Sequence, residues 1–93
     1  IKKSKGYLSF CDNGFTFGVT IINNDFDLLK NKFNKIYKYC YKKKIKIYLC
    51  KDFFINKKGL KKIYPNINKF INLKKKYDKN ETFYSDFYLR AIK

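Results

Sequence analysis

Residues 12–22 read DNGFTFGVTII, a turn signal followed by a stretch in which apolar residues alternate with small or polar ones. Asp12-Asn13-Gly14 is typical of a tight hairpin turn. The alternation over Phe15–Ile22 is typical of a strand, because successive side chains of a strand point to opposite faces of the sheet. We therefore predict a β-hairpin that pairs Tyr7–Cys11 with Phe15–Ile22.

A long helix and a third strand are predicted next along the chain. Apolar residues recur at steps of three and four over Asp25–Tyr41, which indicates an amphipathic helix, and Asn24 is the expected N-cap. Asn23 and Asn24 are expected to end the second strand. Ile45–Cys50 alternates again and predicts the third strand. The apolar stripe of the helix needs a sheet face to cover. The residues expected on that face are Phe15, Phe17, Val19, Ile21, Ile45, Ile47 and Leu49.

Short helices are predicted for the rest of the chain. The first is Lys57–Tyr64, which Pro65 should end because proline cannot continue a helix. The second is Asn66–Tyr77, with Ile67, Phe70 and Ile71 facing inward, and the third follows Ser85. The predicted fold class is therefore α+β: an antiparallel β-hairpin plus a third strand, covered by one long helix, then short C-terminal helices.

The chain is strongly basic, with 23 basic and 7 acidic residues and a formal charge of +16. Arg90 is the only arginine, and lysine is the weaker choice for planar recognition of phosphates or bases. We interpret the lysines mainly as a solvated surface, with a secondary attraction to an anionic substrate or anionic lipid. No apolar run approaches the roughly 20 residues needed to span a bilayer.

The chain contains no histidine, which excludes a histidine general base, a Ser-His-Asp triad and any metal site that uses histidine. The cysteines Cys11, Cys40 and Cys50 fit no zinc or CxxC spacing, so we expect no metal site. Three reduced thiols are typical of a reducing compartment, and the expected location is the cytoplasm.

Five motifs follow one another over most of the chain, from about Gly6 to Arg90. They are Gly14–Ile21, Tyr48-Leu49-Cys50-Lys51-Asp52, Tyr64-Pro65, Lys75-Lys76-Tyr77-Asp78, and Phe83 followed by Ser85-Asp86 and Arg90. In order and spacing they resemble the C-terminal region of FAD-linked oxidases of the vanillyl-alcohol oxidase superfamily. This group includes decaprenylphosphoryl-β-D-ribose oxidase and D-arabinono-1,4-lactone oxidase.

The resemblance implies that residues 1–93 are the C-terminal part of a substrate domain. The partner would be the FAD-binding domain of the same polypeptide, which would hold most of the FAD. The chain begins at Ile1 and has no methionine, so we expect a fragment of a longer protein that is inactive by itself. The intact protein is expected to oxidise a sugar hydroxyl by hydride transfer to flavin. Its substrate would be a polyprenyl-phosphosugar or a sugar lactone, and a polyprenyl substrate would bring a peripheral membrane contact.

The resemblance also assigns residues. Lys51 would lie at the active site as the catalytic residue, and Tyr48 would line the same pocket. Gly18 would allow close approach of the backbone to a ligand, although the mycobacterial member of the family has cysteine there. Asp52 would orient Lys51 or cap the following turn. Phe53 and Phe54 stand where the family often has Ser-Arg, which puts an anion contact from that position in doubt.

Simpler interpretations remain open for several of these residues. Lys51 is one of 22 lysines and could be an ordinary surface residue, and Arg90 could pair with a carboxylate of the other domain or be solvated. One alternative function is a small basic nucleic-acid-binding module of β-β-α-β type, with Phe15 and Phe17 stacking on bases. That arrangement would leave Thr16, Gly18 and Thr20 to fill the core, so no nucleic-acid partner is expected. A small structural or assembly module is the third class.

Overall fold

A computed structural model of the chain describes residues 1–22 and 24–93. Within those residues the protein is all-α, and the predicted α+β fold is wrong. The helices are α1 (Phe26–Lys43), α2 (Lys57–Ile63), α3 (Ile67–Tyr77) and α4 (Asp86–Ala91), with a 3-10 helix at Leu49–Lys51 between α1 and α2. The β-β-α-β architecture of the nucleic-acid alternative is likewise absent from these residues.

The predicted hairpin is absent because its turn residues bond to the N-terminus instead. The amino group of Ile1 donates to the carbonyl of Gly14 at 2.7 Å, and the amide of Gly14 donates to the carbonyl of Ile1 at 3.2 Å. The amide of Lys3 donates to Asn13 Oδ1 at 3.0 Å. In the predicted first strand, the amide of Ser9 closes a turn on the carbonyl of Gly6 at 3.2 Å.

The predicted second strand, Phe15–Ile22, finds no partner among the described residues. No backbone hydrogen bond there joins it to another segment, and a strand exists only where its backbone pairs with a neighbour. Phe15, Phe17 and Val19 are 95%, 92% and 78% exposed, so they do not form the face that the long helix was predicted to cover. Asn23, predicted to help end this strand, lies outside the described residues.

The predicted third strand, Ile45–Cys50, is replaced partly by the 3-10 helix. Its start is set by the end of α1, where Lys44 adopts a left-handed conformation and the amide of Ile45 donates to the carbonyl of Cys40 at 2.9 Å. Its end turns tightly, because the amides of Lys51 and Asp52 donate three residues back. The alternation was present, but without a pairing strand local turns satisfy the backbone.

The helical predictions are confirmed with small shifts at their ends. Asp25, rather than Asn24, caps α1, and its carboxylate accepts from the amide of Leu28. Asn56 caps α2 in the same way. Ser85 caps α4, as its position before the predicted helix indicated. Pro65 follows the end of α2, as expected from its missing N–H.

The core lies where α1 and α4 pack against α2. Leu60 and Ile63 of α2 and Ile55 before it are almost fully buried. The other buried apolar residues are Tyr37, Tyr64, Ile67, Ala91 and Ile92. Phe70 and Ile71 of α3 are half-buried against this core, as predicted. No helix in the described part of the chain is both long and apolar enough to cross a bilayer.

Candidate functional site

The candidate site is built around the carboxylate of Asp52, whose side chain is 0% exposed. Its Oδ1 accepts from the hydroxyl of Tyr37 at 2.5 Å and from the amides of Phe54 at 3.2 Å and Ile55 at 3.1 Å. Its Oδ2 accepts from the amide of Ile55 at 3.2 Å and from Arg90 at 2.8 Å. We call Tyr37, Asp52, Phe54, Ile55 and Arg90 the Asp52 cluster. A buried carboxylate requires such partners, because desolvation without them is costly.

Arg90 ties the end of α4 to this turn by three contacts. Its Nε donates to the carbonyl of Ile55 at 3.1 Å, and one terminal nitrogen donates to both the carbonyl and the carboxylate of Asp52 at 3.2 and 2.8 Å. The planar guanidinium fork suits this multiple contact, which a single ammonium could not reproduce. Arg90 therefore pairs within this chain rather than standing free in solvent.

Tyr37 reaches Asp52 from the middle of α1. Burial of its ring, followed by the hydrogen bond to Asp52, raises the pKa of Tyr37 far above its ordinary value near 10. The phenol therefore stays protonated and can donate at any pH near neutrality. From the sequence, Tyr37 was predicted only to lie on the apolar stripe of α1. Its partner was not predicted, because nothing local to Tyr37 points to a carboxylate 15 residues away.

Lys51 precedes Asp52 and is exposed. It lies at an open, largely apolar hollow of about 390 Å³, which we call the Lys51 hollow. The residues that line it are Val19, Thr20, Ile21, Phe26, Leu29, Phe33, Tyr37, Lys51, Phe53 and Phe54. Among the described residues of this lining, Lys51 is the only charged one. An apolar hollow with a single ammonium suits a ligand that has an apolar body and an anionic or electron-rich group.

Aromatic packing joins the Lys51 hollow to the Asp52 cluster. The ring of Phe54 lies 5.3 Å from the ring of Phe33 and 5.5 Å from that of Phe26, and Phe33 packs edge-on against Tyr37 at 5.8 Å. Phe54 also donates its amide to Asp52. The wall of the hollow and the Asp52 cluster therefore share two residues, Tyr37 and Phe54.

The structure brings only part of the predicted site together. Lys51 and Asp52 are neighbours, but Tyr48 lines a different hollow, of about 490 Å³, and stacks on Phe10 at a ring distance of 4.7 Å. Gly18 lies in the exposed segment, and a Cβ built there would meet nothing within 4 Å. Gly18 therefore makes no close backbone approach among the described residues, and Tyr48 does not share the hollow of Lys51.

Asp52 caps the turn that follows it, which was one of its two predicted roles. Its partners in the described part of the chain are the backbone amides, Tyr37 and Arg90, and Lys51 is not among them. Lys51 therefore lines the hollow without pairing with Asp52.

The other motif residues also have defined contacts. The ring of Tyr64 is buried and its hydroxyl donates to the carbonyl of Ile47 at 2.5 Å. Asp78 pairs with Lys74 and accepts from the amides of Thr82 at 2.8 Å and Phe83 at 3.1 Å. The bond to Lys74, followed by these amides, holds the pKa of Asp78 below its usual value. This carboxylate orders the turn that leads into α4.

The three cysteines are free thiols, with Cys11 and Cys40 half-buried and Cys50 exposed. Burial raises the pKa of Cys40, which makes its thiol less reactive at neutral pH. None of the three lines the Lys51 hollow.

Comparison of the chain with protein-family models, with curated proteins and with solved structures finds no match.

Proposed function

We propose that this chain is the C-terminal segment of the substrate domain of a FAD-dependent oxidoreductase that oxidises a sugar hydroxyl. The observation that carries the proposal is the placement of Lys51, the only charged residue among the described residues that line an apolar hollow. The turn that follows Lys51 is held by the Asp52 cluster, so the fold fixes the backbone from which the Lys51 side chain extends. A cation within reach of a reacting group can stabilise charge that develops during a reaction.

The chemistry assigned to Lys51 follows from the change of charge in alcohol oxidation. Oxidation of an alcohol would release the hydroxyl proton to water in the open hollow and transfer hydride from the carbinol carbon to FAD, and where the proton leaves first, negative charge builds on the oxygen. The ammonium of Lys51 would stabilise that charge and orient the hydroxyl, and FAD would accept the hydride. The apolar walls, including Phe26, Phe33 and Phe54, would lower the local polarity and so strengthen this interaction.

The residues present suit a supporting part in flavin binding rather than the whole of it. Lys51 offers an exposed ammonium and the hollow offers apolar surface. The adenine and diphosphate of FAD would be held mainly by the FAD-binding domain of the same polypeptide. Phe15, Phe17 and Val19 support such a partner domain, because large apolar side chains exposed together are typical of a surface that another domain covers.

The proposed substrate is a polyprenyl-phosphoribose-like sugar, with a sugar lactone as the second candidate. The Lys51 hollow favours the first, because its largely apolar lining suits an isoprenoid chain. Such a substrate would also place the protein at a membrane surface, where the +16 charge would attract anionic lipids.

The direct test is anaerobic mixing of the purified intact polypeptide with each substrate, followed by the absorbance of its flavin. The proposal expects bound FAD, and bleaching with the polyprenyl-phosphoribose and not with a matched polyprenyl phosphate that lacks the sugar. Bleaching with a sugar lactone alone would keep the enzyme class and change the substrate. A polypeptide that binds no flavin would overturn the proposal.

A further inference from the structure

Arg90 is placed to control the turn on which Lys51 sits. Its guanidinium contacts three oxygen atoms of one short segment: the carboxylate of Asp52, the carbonyl of Asp52 and the carbonyl of Ile55. The first two belong to the residue that directly follows Lys51. Since one rigid group bridges both ends of residues 52–55, the backbone that carries Lys51 cannot shift without breaking contacts to Arg90.

Arg90 is itself firmly anchored. The residues that follow it, Ala91 and Ile92, are 1% and 6% exposed and belong to the core. The start of α4 is capped by Ser85, whose Oγ accepts from the amide of Tyr88 at 3.3 Å. The guanidinium is therefore presented from a fixed helix and not from a free chain end.

Arg90 also controls the electrostatics beside Lys51. The fully buried carboxylate of Asp52 carries a negative charge that needs a cation. Arg90 supplies that cation at 2.8 Å, so Asp52 does not need Lys51 as an ion-pair partner.

We propose that Arg90 is a positioning residue that acts through Lys51, so that α4 serves as a clamp on the reactive lysine. The effect on turnover rests on the proposed function, whereas the effect on the turn does not. Arg90 is not among the residues that line the Lys51 hollow, so it is not assigned a direct contact with substrate.

The first experiment uses the 93-residue chain and hydrogen exchange of the amides that Asp52 accepts. In Arg90→Gln, we expect the amides of Phe54 and Ile55 to exchange roughly tenfold faster or more, because their charged acceptor loses its partner. Amides in the middle of α1 serve as the internal reference for global stability. Arg90→Lys keeps the positive charge but lacks the planar guanidinium. Its Phe54 and Ile55 amides should exchange at rates between those of the wild type and of Arg90→Gln, which keeps the test decisive if Arg90→Gln folds poorly.

The matched control is Lys93→Gln. Lys93 pairs with Glu81 near the same end of the chain, and both side chains are about half exposed. This variant also removes one cation from the C-terminal segment, but it leaves the turn at residues 52–55 untouched. Its Phe54 and Ile55 amides should exchange as in the wild type. Unchanged exchange at these two amides in both Arg90 variants would overturn the inference.

The second experiment is a double-mutant cycle on flavin reduction in the intact flavoenzyme. Arg90→Gln should slow reduction by about 10- to 100-fold with FAD still bound, because a small displacement of a reacting group is costly. In a Lys51→Ala background the same change should cost less than about twofold, because its target is gone. Equal losses in both backgrounds would contradict the inference and leave the proposed function standing.

If Lys51→Ala alone reduces its flavin at the wild-type rate, the proposed role of Lys51 fails instead. The catalytic part of the inference then fails with it, and the exchange experiment still decides whether Arg90 holds the turn. The two failures are therefore distinguishable.

Discussion

Arg90 in α4 donates to the carboxylate of Asp52, 38 residues earlier in the chain, at 2.8 Å. This contact joins the last helix to the residue that follows Lys51. Because the Asp52 side chain is fully buried, this ion pair affects the stability of the fold. Because Asp52 directly follows Lys51, the same pair affects where the candidate lysine lies.

Loss of this ion pair should destabilise the protein strongly. Arg90→Met removes the cation and leaves the buried carboxylate of Asp52 uncompensated, a change that typically costs about 3–5 kcal/mol. We expect about 2–3 kcal/mol, because the Arg90 side chain is 31% exposed and water can replace part of the contact. Urea unfolding measures the difference. Lys93→Gln, in the exposed pair with Glu81, should cost less than about 1 kcal/mol.

Tyr37→Phe should weaken the same cluster by a smaller amount. The change removes one hydrogen bond to a charged acceptor, which is worth about 1.5–3 kcal/mol, and keeps the ring that packs on Phe33. The expected loss is at the lower end, because Asp52 retains its backbone donors and Arg90. Equilibrium unfolding is the readout. Tyr39→Phe is the control, because Tyr39 is exposed on α1, and a similar loss in both variants would contradict the assigned bond.

Gly59→Ala should disturb the packing of α1 on α2. A Cβ at Gly59 would lie 2.2 Å from Cζ of Tyr41, so the half-buried Tyr41 ring must move. Overpacking of this kind typically costs about 1–3 kcal/mol. The matched control is Gly18→Ala, where a Cβ meets nothing within 4 Å and stability should hardly change.

The same contact can be checked by relief of the clash. If Tyr41 is the obstacle, Gly59→Ala should cost less in a Tyr41→Leu background than in the wild type. Thermal or urea unfolding of the four proteins completes this cycle. Equal costs in both backgrounds would mean that another neighbour limits the space at Gly59.

Stability should fall at high pH through the buried tyrosines. Burial raises the pKa of Tyr37 and Tyr64 well above 10, and that of Tyr41 to about 12. Unfolded tyrosines ionise near pH 10. The contribution of these residues is therefore complete below about pH 10 and is lost as the pH rises towards their folded values. Urea unfolding between pH 8 and pH 11 measures the slope, and Tyr37→Phe should make it shallower.

The helices could be predicted from the sequence because their signals are local. Asn56 and Ser85 stand one residue before helices that they cap, and Pro65 follows the end of α2. The strands could not, because a strand depends on a partner that sequence alternation does not identify. Phe15–Ile22 alternates as a strand would, yet it has no ladder partner in the described part of the chain.

In the candidate site, too, local contacts could be predicted from the sequence and contacts between distant residues could not. Capping of the following turn was one of the two roles expected for Asp52 from the resemblance, and the structure shows that contact. Its pairing with Arg90 was not predicted, because it depends on how α4 docks on α2. The prediction placed Tyr48 and Lys51 together at the end of one strand. The 3-10 helix at Leu49–Lys51 replaces that strand end, so Tyr48 lines a different hollow from Lys51.

The central claim is that Lys51 serves the oxidation of a sugar hydroxyl, and its most direct test is the rate of flavin reduction in Lys51→Ala. The measurement uses the intact polypeptide under anaerobic single-turnover conditions, with Lys61→Ala as the control because Lys61 is exposed on α2 and lines no part of the hollow. We expect Lys51→Ala to slow reduction by about 10²–10³-fold with FAD content unchanged, and Lys61→Ala to match the wild type. Reduction at the wild-type rate in Lys51→Ala would contradict the account.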